Sequence, residues 1–198
     1  FISTWQKMRF HTRSNDYTED TYFAADGLII QSLLCYAKEK NKRLMIIPRN
    51  HKHSELRNQE EKYFREILDQ EPEFFDQLGP YPSYQAIDFA DVVVGVDSTL
   101  VYESIARGNK TAAFTIRGNV LSELRGFNYG WPGNFPDEGP FWTNNPDPDS
   151  FFRILDYLFE VDDVQWCKDV EATNFSSLMI YDQGNEVLKS TLDKLLKP

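Results

Sequence analysis

A valine-rich strand that runs directly into a helix is the feature that most constrains the fold of this chain. Four valines fall within residues 92–96, and Asp97-Ser98-Thr99 follows them before apolar residues at helical spacing. A strand that is apolar on both faces is typical of a parallel sheet covered by helices on both sides. The junction therefore predicts an α/β fold in which the first amides of a helix face solvent.

Strands and helices alternate along most of the chain. Strands are predicted at residues 1–5, 44–48, 92–96 and 111–116, with a minor strand at 74–75. Helical periodicity occurs at residues 28–42, 56–68, 84–89, 98–108, 150–159 and 185–196. This alternation predicts a Rossmann-like parallel sheet with helices on both faces. We expect residues 1–198 to form one such domain, cut from a longer two-domain polypeptide, because the chain opens abruptly on a strand.

Composition excludes several classes of protein. The net charge of -10 argues against a partner nucleic acid, because binding a phosphate backbone needs a cationic face. The sequence has no apolar run of membrane-spanning length and no secretory signal at its start, so it predicts a cytoplasmic protein. Cys35 and Cys167 lack metal-binding spacing and are interpreted as reduced packing residues.

The junction at residues 97–99 is the best candidate for an anion site. The first N–H groups of a helix have no intrahelical partner, and the helix dipole favours negative charge there. Ser98 and Thr99 add hydroxyl groups next to those amides. The alternative is that Ser98 only caps the helix, although Val101 three residues later leaves the capping box incomplete.

A basic loop follows the second strand in this otherwise acidic chain. Arg49, His51, Lys52 and His53 lie within five residues. If the strands that precede Arg49 and Ser98 lie near each other, Arg49 or His51 can face a phosphate held at the junction, through strong charge-assisted hydrogen bonds. The alternatives are that Lys52 and His53 are solvated loop residues and that His51 is a buried, hydrogen-bonded histidine.

Two further charged residues fall on the same predicted edge. Glu103 lies one helical turn after Thr99, where a carboxylate can accept hydrogen bonds from ribose hydroxyls, and Arg117 follows the strand at 111–116. The alternatives are a surface interaction of Glu103 with the helix start or with Arg107, and a salt bridge of Arg117 with Glu123 or Asp91.

We expect no metal ion in this chain. His51 and His53 lack further ligands at suitable spacing, and Asp147-Pro148-Asp149, which matches the Asp-x-Asp motif of some glycosyltransferases, is better explained as a helix start. Hydrolase, P-loop and dehydrogenase motifs are missing from the sequence. The catalytic residues cannot be assigned from the sequence.

Several segments together resemble a known group of proteins. They are residues 90–108, Phe114-Thr115-Ile116-Arg117-Gly118, Gly130-Trp131-Pro132 and Gly139-Pro140-Phe141-Trp142-Thr143. The chain resembles bacterial surface carbohydrate biosynthesis proteins. More widely, it is similar to the C-terminal, donor-binding half of GT-B glycosyltransferases, such as the Kdo, sialic acid and polysialic acid transferases and the CDP-glycerol glycerophosphotransferases.

The resemblance implies a function and a set of site residues. It implies a CMP-, CDP- or UDP-sugar as donor ligand, bound without a metal cofactor. His51, with Lys52 in place of the usual proline, and Ser98 with Thr99 match the positions that hold the nucleotide phosphate, and Glu103 matches the residue directed at ribose. The glycan or lipid-linked acceptor and the catalytic base would belong to a missing N-terminal domain, so the isolated chain would be inactive.

Two other functions remain open on the sequence alone. A sugar-nucleotide epimerase shares this fold but needs catalytic acids that the sequence does not identify. A docking module of a glycan assembly system would use the aromatic segment 127–142 to bind a partner or a membrane-associated enzyme. For the transferase, we expect a cytoplasmic location with peripheral association at the inner face of the cytoplasmic membrane. Against docking, long aromatic loops commonly pack on their own sheet.

Overall fold

The structure, a computed structural model, describes residues 1–7, 19–76, 79–121 and 125–196. The helices are α1 (Glu19–Glu39), α2 (Glu55–Leu68), α3 (Pro82–Phe89), α4 (Thr99–Ala106), α5 (Arg117–Val120), α6 (Pro148–Glu160), α7 (Asp163–Ala172) and α8 (Glu186–Leu195). The strands are β1 (Val93–Gly95), β2 (Thr111–Phe114) and β3 (Trp142–Thr143). No helix in these ranges is both long and apolar enough to cross a membrane.

The three strands form a parallel sheet in the order β1-β2-β3. In its register Val94 pairs with Ala112, and Ala113 pairs with Trp142. Isolated parallel bridges extend this sheet beyond β1, joining Ile2 to Gly95 and to Ile47, and Ile46 to Phe74. Numbered along the chain, the six extended segments therefore lie in the order 3-2-1-4-5-6, which is the Rossmann order.

This arrangement confirms the predicted Rossmann-like α/β fold. The valines of β1 and its extension are buried as a two-faced strand requires, with Val93, Val94 and Val96 each at most 4% exposed. Gly95 allows α4 to pack close to the strand, because a Cβ at this position would overlap the side chain of Val101. The strand and the helix of the predicted junction therefore form one packed unit.

Several elements differ from the sequence prediction. The helices α5 and α7 and the strand β3 were not predicted, and α1 begins at Glu19 rather than near residue 28. The apolar stripe of α8 does not pack on the core, because Val187, Leu188 and Leu192 are each at least 44% exposed. The thiols of Cys35 and Cys167 are also exposed, so their interpretation as packing residues was wrong.

Candidate functional site

The strand order creates a crevice between the first extended segment and β1. From Ile2 the chain crosses over to residues 46–47 on one side of the sheet, whereas from β1 it crosses to β2 on the other side. Ligands of Rossmann-like sheets bind outside the carboxyl ends of the strands where the order reverses in this way. A cavity of about 820 Å³ lies here, lined by Ser3 and Thr4 from one strand end and by Asp97 and Ser98 from the other.

The start of α4 forms one side of this cavity. Ser98 is the N-cap, and its hydroxyl oxygen accepts a hydrogen bond of 3.3 Å from the main-chain N–H of Leu100. Thr99 is the first helical residue, so its N–H has no intrahelical acceptor. Thr99 is also exposed. The capping role of Ser98 is thus present, and both Ser98 and Thr99 line the cavity.

Arg117 lies behind the cavity rather than in it. Its guanidinium is fully buried and donates to Asp97 at 2.7 Å through Nε and to Asp26 at 2.7 Å through Nη2. It also donates to Thr4 Oγ1 at 3.0 Å and to the carbonyl oxygen of Tyr22, whose ring lies 4.2 Å from the guanidinium carbon. Of the predicted salt-bridge partners, Asp91 is not used and Glu123 lies outside the described residues.

Burial and neighbouring charges shift the pKa values of Asp26 and Arg117. Burial raises the pKa of the Asp26 carboxyl, and the opposing effects of Arg117 and the Thr4 hydroxyl are smaller. Burial alone would lower the pKa of Arg117, but the carboxylates of Asp26 and Asp97 outweigh it and raise that pKa above its ordinary value. Arg117 thus remains charged, with Asp97 from the turn after β1 and Asp26 from α1 as its carboxylate partners.

Arg49 reaches the cavity from the predicted basic loop. Its side chain lines the cavity, is exposed, and donates a 3.4 Å hydrogen bond to the carbonyl oxygen of Thr4. The strands that precede Arg49 and Ser98 are not neighbours, since the segment containing Ile2 lies between them. Both loops nevertheless emerge at the same edge, because all three strands are parallel.

A buried carboxylate holds the basic loop in place. Glu60 of α2 is 0% exposed and accepts hydrogen bonds from the main-chain N–H of Arg49 at 3.0 Å and of Asn50 at 3.1 Å. It also accepts from the amide of Asn50 and from the hydroxyl of Ser3. Glu60 therefore ties the loop after the second strand to the end of the first one.

The structure does not bring His51 into the cavity. His51 is exposed and is not among the cavity residues, and its carbonyl oxygen accepts a hydrogen bond from the N–H of Ser54. Lys52 and His53 are exposed as well, and Lys52 lies 3.5 Å from Asp76. The loop turns away after Arg49, so Arg49 alone of its basic residues lines the cavity.

Glu103 lines the cavity one turn above Thr99, as the helical spacing requires. Tyr84 of α3 donates its hydroxyl to Glu103, and this hydrogen bond raises the pKa of the phenol. Arg107, the alternative partner for Glu103, instead pairs with Asp88. Glu103 therefore has a partner within the cavity and retains free lone pairs for a ligand hydroxyl.

Most of the aromatic segment 127–142 packs on the sheet. Tyr129 stacks on Trp142 with ring centroids 4.4 Å apart, and Phe135 contacts both rings edge-on. The hydroxyl of Tyr102, whose pKa is raised by burial, accepts from the N–H of Gly130 at 3.0 Å. This packing favours an internal cover over the docking surface that was the alternative on the sequence, with Trp131 as its exposed exception.

The Asp-x-Asp segment starts α6 as predicted. Asp147 is the N-cap, and its carboxylate accepts from the N–H groups of Asp149 at 3.3 Å and Ser150 at 3.1 Å. The main-chain and hydroxyl hydrogen bonds from Ser150 lower the pKa of Asp147. Within the described ranges, no three His, Cys, Asp or Glu side chains are grouped as metal ligands would be.

Several residues of the cavity were not predicted from the sequence. Thr4, Tyr22, Tyr81 and Tyr84 line the cavity and come from three separate segments. No local motif marks them, but Thr4 ends the first predicted strand, and the carboxyl end of a strand beside the order reversal was a signal that could have found it.

Fold and site together define a Rossmann-like protein with a cavity at the reversal of its strand order. A family model described as "putative O-antigen biosynthesis protein" matches residues 1–196. The chain belongs to this family, and the resemblance to surface carbohydrate biosynthesis proteins is thereby confirmed. Neither the curated proteins nor the solved structures contain a match.

Proposed function

We propose that this chain binds the nucleotide-sugar donor of a glycosyltransferase that acts in surface polysaccharide biosynthesis. The observation that carries the proposal is the single cavity of about 820 Å³ shared by Arg49, Ser98, Thr99 and Glu103. Arg49 contributes a cation, Ser98 and Thr99 contribute the start of a helix, and Glu103 contributes a carboxylate. Arg49 is distant from the other three in the sequence. Membership of the O-antigen biosynthesis family supports a role in surface polysaccharide biosynthesis. The residues that line the cavity support a nucleotide-sugar as the ligand.

The chemistry of sugar transfer matches this set of groups. Breaking the bond between sugar and phosphate leaves negative charge on the departing nucleotide, and preorganised donors stabilise such charge. The N–H of Thr99, the hydroxyls of Ser98 and Thr99 and the guanidinium of Arg49 are donors of this kind. Glu103 would accept from a ribose hydroxyl, so a CMP-, CDP- or UDP-sugar could be held without a metal ion.

Arg117 and Asp97 have a positioning role in this proposal. Asp97 directly precedes Ser98, and Arg117 fixes its carboxylate from the start of α5. The phosphate would therefore meet a turn that is already ordered before the ligand binds, which lowers the cost of binding. His51 has no role here, because it lies outside the cavity.

Among the described residues, Asp97 and Glu103 are the acidic side chains that line the cavity, and both are better suited to binding than to proton transfer. Asp97 is paired with Arg117, and Glu103 accepts a hydrogen bond from Tyr84. We therefore propose that the base that activates a glycan or lipid-linked acceptor comes from another domain. In this arrangement the protein acts in the cytoplasm, at the inner face of the membrane where lipid-linked glycans are assembled.

Calorimetric titration of the folded chain with CMP, CDP and UDP tests the proposal. At least one of the three should bind with a dissociation constant at or below about 1 mM, which corresponds to a free energy of roughly -4 kcal/mol. The matching nucleosides should bind more weakly, because they lack the phosphate. Failure of all three nucleotides to bind at millimolar concentration would contradict the proposal.

A further inference from the structure

Two strongly exposed aromatic side chains line the same cavity as Ser98. Tyr81, which precedes α3, is 73% exposed, and Trp131, which lies between α5 and β3, is 60% exposed. They come from separate segments, so the cavity itself is what they share. In contrast to the polar strand ends, they give the mouth of this cavity an apolar character.

The backbone at Trp131 is held rigidly although its ring is exposed. The N–H of Gly130 donates to the hydroxyl of Tyr102 at 3.0 Å, and the N–H of Trp131 donates to the carbonyl oxygen of Asn128 at 3.2 Å. Gly130 has φ 72°, and a Cβ there would overlap the ring of Phe135. A large apolar ring on a fixed backbone costs little entropy to place against a ligand.

Tyr81 is held in a conformation that its residue type disfavours. It has φ 61°, in the left-handed region that bulky residues rarely adopt, and it caps α3 without a side-chain hydrogen bond. Its ring centroid lies 6.2 Å from that of Tyr84, which donates to Glu103. Strained positions of this kind concentrate at ligand-binding sites.

We propose that Tyr81 and Trp131 form a subsite for a sugar ring at the mouth of the cavity. A pyranose has a face of C–H bonds with partial positive charge, which the electron-rich face of an aromatic ring attracts. Its hydroxyls stay hydrated, so it needs apolar contact on one face only. Both aromatic side chains are more than half exposed, which suits this one-sided contact better than the enclosure of a flat nucleobase.

The subsite depends on the proposed function in one respect only, which is the orientation of the bound nucleotide-sugar in the cavity. With the phosphate at Ser98 and the ribose at Glu103, the sugar of the donor would extend towards the mouth. The subsite itself needs only a carbohydrate, the class of molecule that the family assembles. Its test can therefore be separated from that of nucleotide binding.

Trp131 provides the readout, because the other three tryptophans are buried. Trp5, Trp142 and Trp166 are each at most 4% exposed, so acrylamide quenching of tryptophan fluorescence reports mainly on Trp131. CMP-N-acetylneuraminic acid and UDP-N-acetylglucosamine are compared with CMP and UDP, and the methyl glycosides of both sugars are added alone in excess. We expect a sugar-bearing probe to reduce quenching and the nucleotides to leave it unchanged.

Affinity measurements on variants complete the test. Trp131→Ala and Tyr81→Ala should each lower the affinity for the sugar-bearing probe about 3- to 10-fold. The affinity for the corresponding nucleotide should stay within about twofold of the parent value. Phe89→Ala is the matched control, because Phe89 is 64% exposed but does not line this cavity. Far-ultraviolet circular dichroism confirms that each variant is folded.

Three results would overturn the subsite. They are shielding of Trp131 by a nucleotide to the same extent as by its sugar conjugate, unchanged affinity of the Trp131→Ala variant, and no shielding by any sugar-bearing probe. If nucleotides bind but the sugar adds nothing, the subsite fails and the proposed function stands. If methyl glycosides shield Trp131 while no nucleotide binds, the subsite stands and the nucleotide proposal fails.

Discussion

Arg117 Nε lies 2.7 Å from Asp97 Oδ2, which joins the start of α5 to the turn after β1. The same guanidinium donates to Asp26 on α1, so one buried cation fixes three separate elements around the cavity. The turn that carries Ser98 and Thr99 therefore depends on contacts that lie outside the cavity.

Shortening the buried cation should destabilise the protein strongly. Arg117→Lys keeps the charge but loses the planar fork that reaches Asp97, Asp26 and Thr4 together. We expect the free energy of unfolding to fall by about 3 kcal/mol or more, measured by urea denaturation, since a buried charge network would be left incomplete.

The matched control for this change is Arg153→Lys. Arg153 is 52% exposed and lies 3.5 Å from Glu138, so the loss should be within about 0.5 kcal/mol. Equal effects of the two substitutions would show that the buried network does not hold the fold together.

The raised pKa of Asp26 predicts a particular dependence of stability on pH. Because the folded state binds the proton more tightly than the unfolded state, Asp26 contributes a loss of stability as pH rises above the ordinary aspartate value of 3.8. Asp26→Asn removes this titration. The free energy of unfolding of the variant, minus that of the parent, should rise with pH in denaturation series between about pH 4 and 7.

Asp156 should show the opposite sign. Hydrogen bonds from Lys40 and Tyr36 lower its pKa, so its ionised form stabilises the fold and that stabilisation is lost as pH falls. The corresponding difference for Asp156→Asn should therefore fall as pH rises. A difference for Asp26→Asn that is flat or falls with pH would contradict the raised pKa.

The exposed cation of the cavity should contribute to binding rather than to stability. Arg49→Met should lower the affinity for the tightest-binding nucleotide by about tenfold or more, because a charge-assisted hydrogen bond to phosphate is lost. The salt dependence of binding should also decrease. Arg43→Met is the control, since Arg43 is 66% exposed, pairs with Glu73 and does not line this cavity. Equal affinity of the two variants would remove Arg49 from the site.

The left-handed backbone at Tyr81 predicts an unusual order of stabilities. At φ 61° glycine avoids the steric cost that alanine meets, so Tyr81→Gly should be more stable than Tyr81→Ala by about 1 kcal/mol in thermal unfolding. At Phe89, which ends α3, the order should reverse, because alanine favours a helix over glycine by about 1 kcal/mol. The same order at both positions would contradict the strained conformation of Tyr81.

The sequence predicts the fold and part of the cavity for identifiable reasons. The valines of β1 and the Asp97-Ser98-Thr99 turn are local signals, because strand burial and helix capping depend on neighbouring residues. Arg49 was predicted from the reversal of charge in an acidic chain. These signals lie in the local sequence, whereas the meeting of Arg49 and Ser98 in one cavity depends on the order of the strands.

The remaining contacts depend on pairings between distant parts of the chain. Arg117 meets Asp26 across 91 positions, and no spacing rule connects the two. The strand β3 has only two residues within a Gly- and Pro-rich segment, too few for an alternating pattern. The stripe of α8 has the periodicity of a packed helix, yet it is exposed, so periodicity alone does not identify what a helix packs against.

Phosphate binding by the turn at residues 97–99 can be tested by a single calorimetric comparison. The tightest-binding nucleotide and its nucleoside are titrated into the parent chain and into a variant with Ser98→Ala and Thr99→Ala. We predict about a tenfold loss of nucleotide affinity, with the nucleoside affinity unchanged within about twofold. An equal loss for both ligands, or a parent chain that binds both equally well, would contradict it.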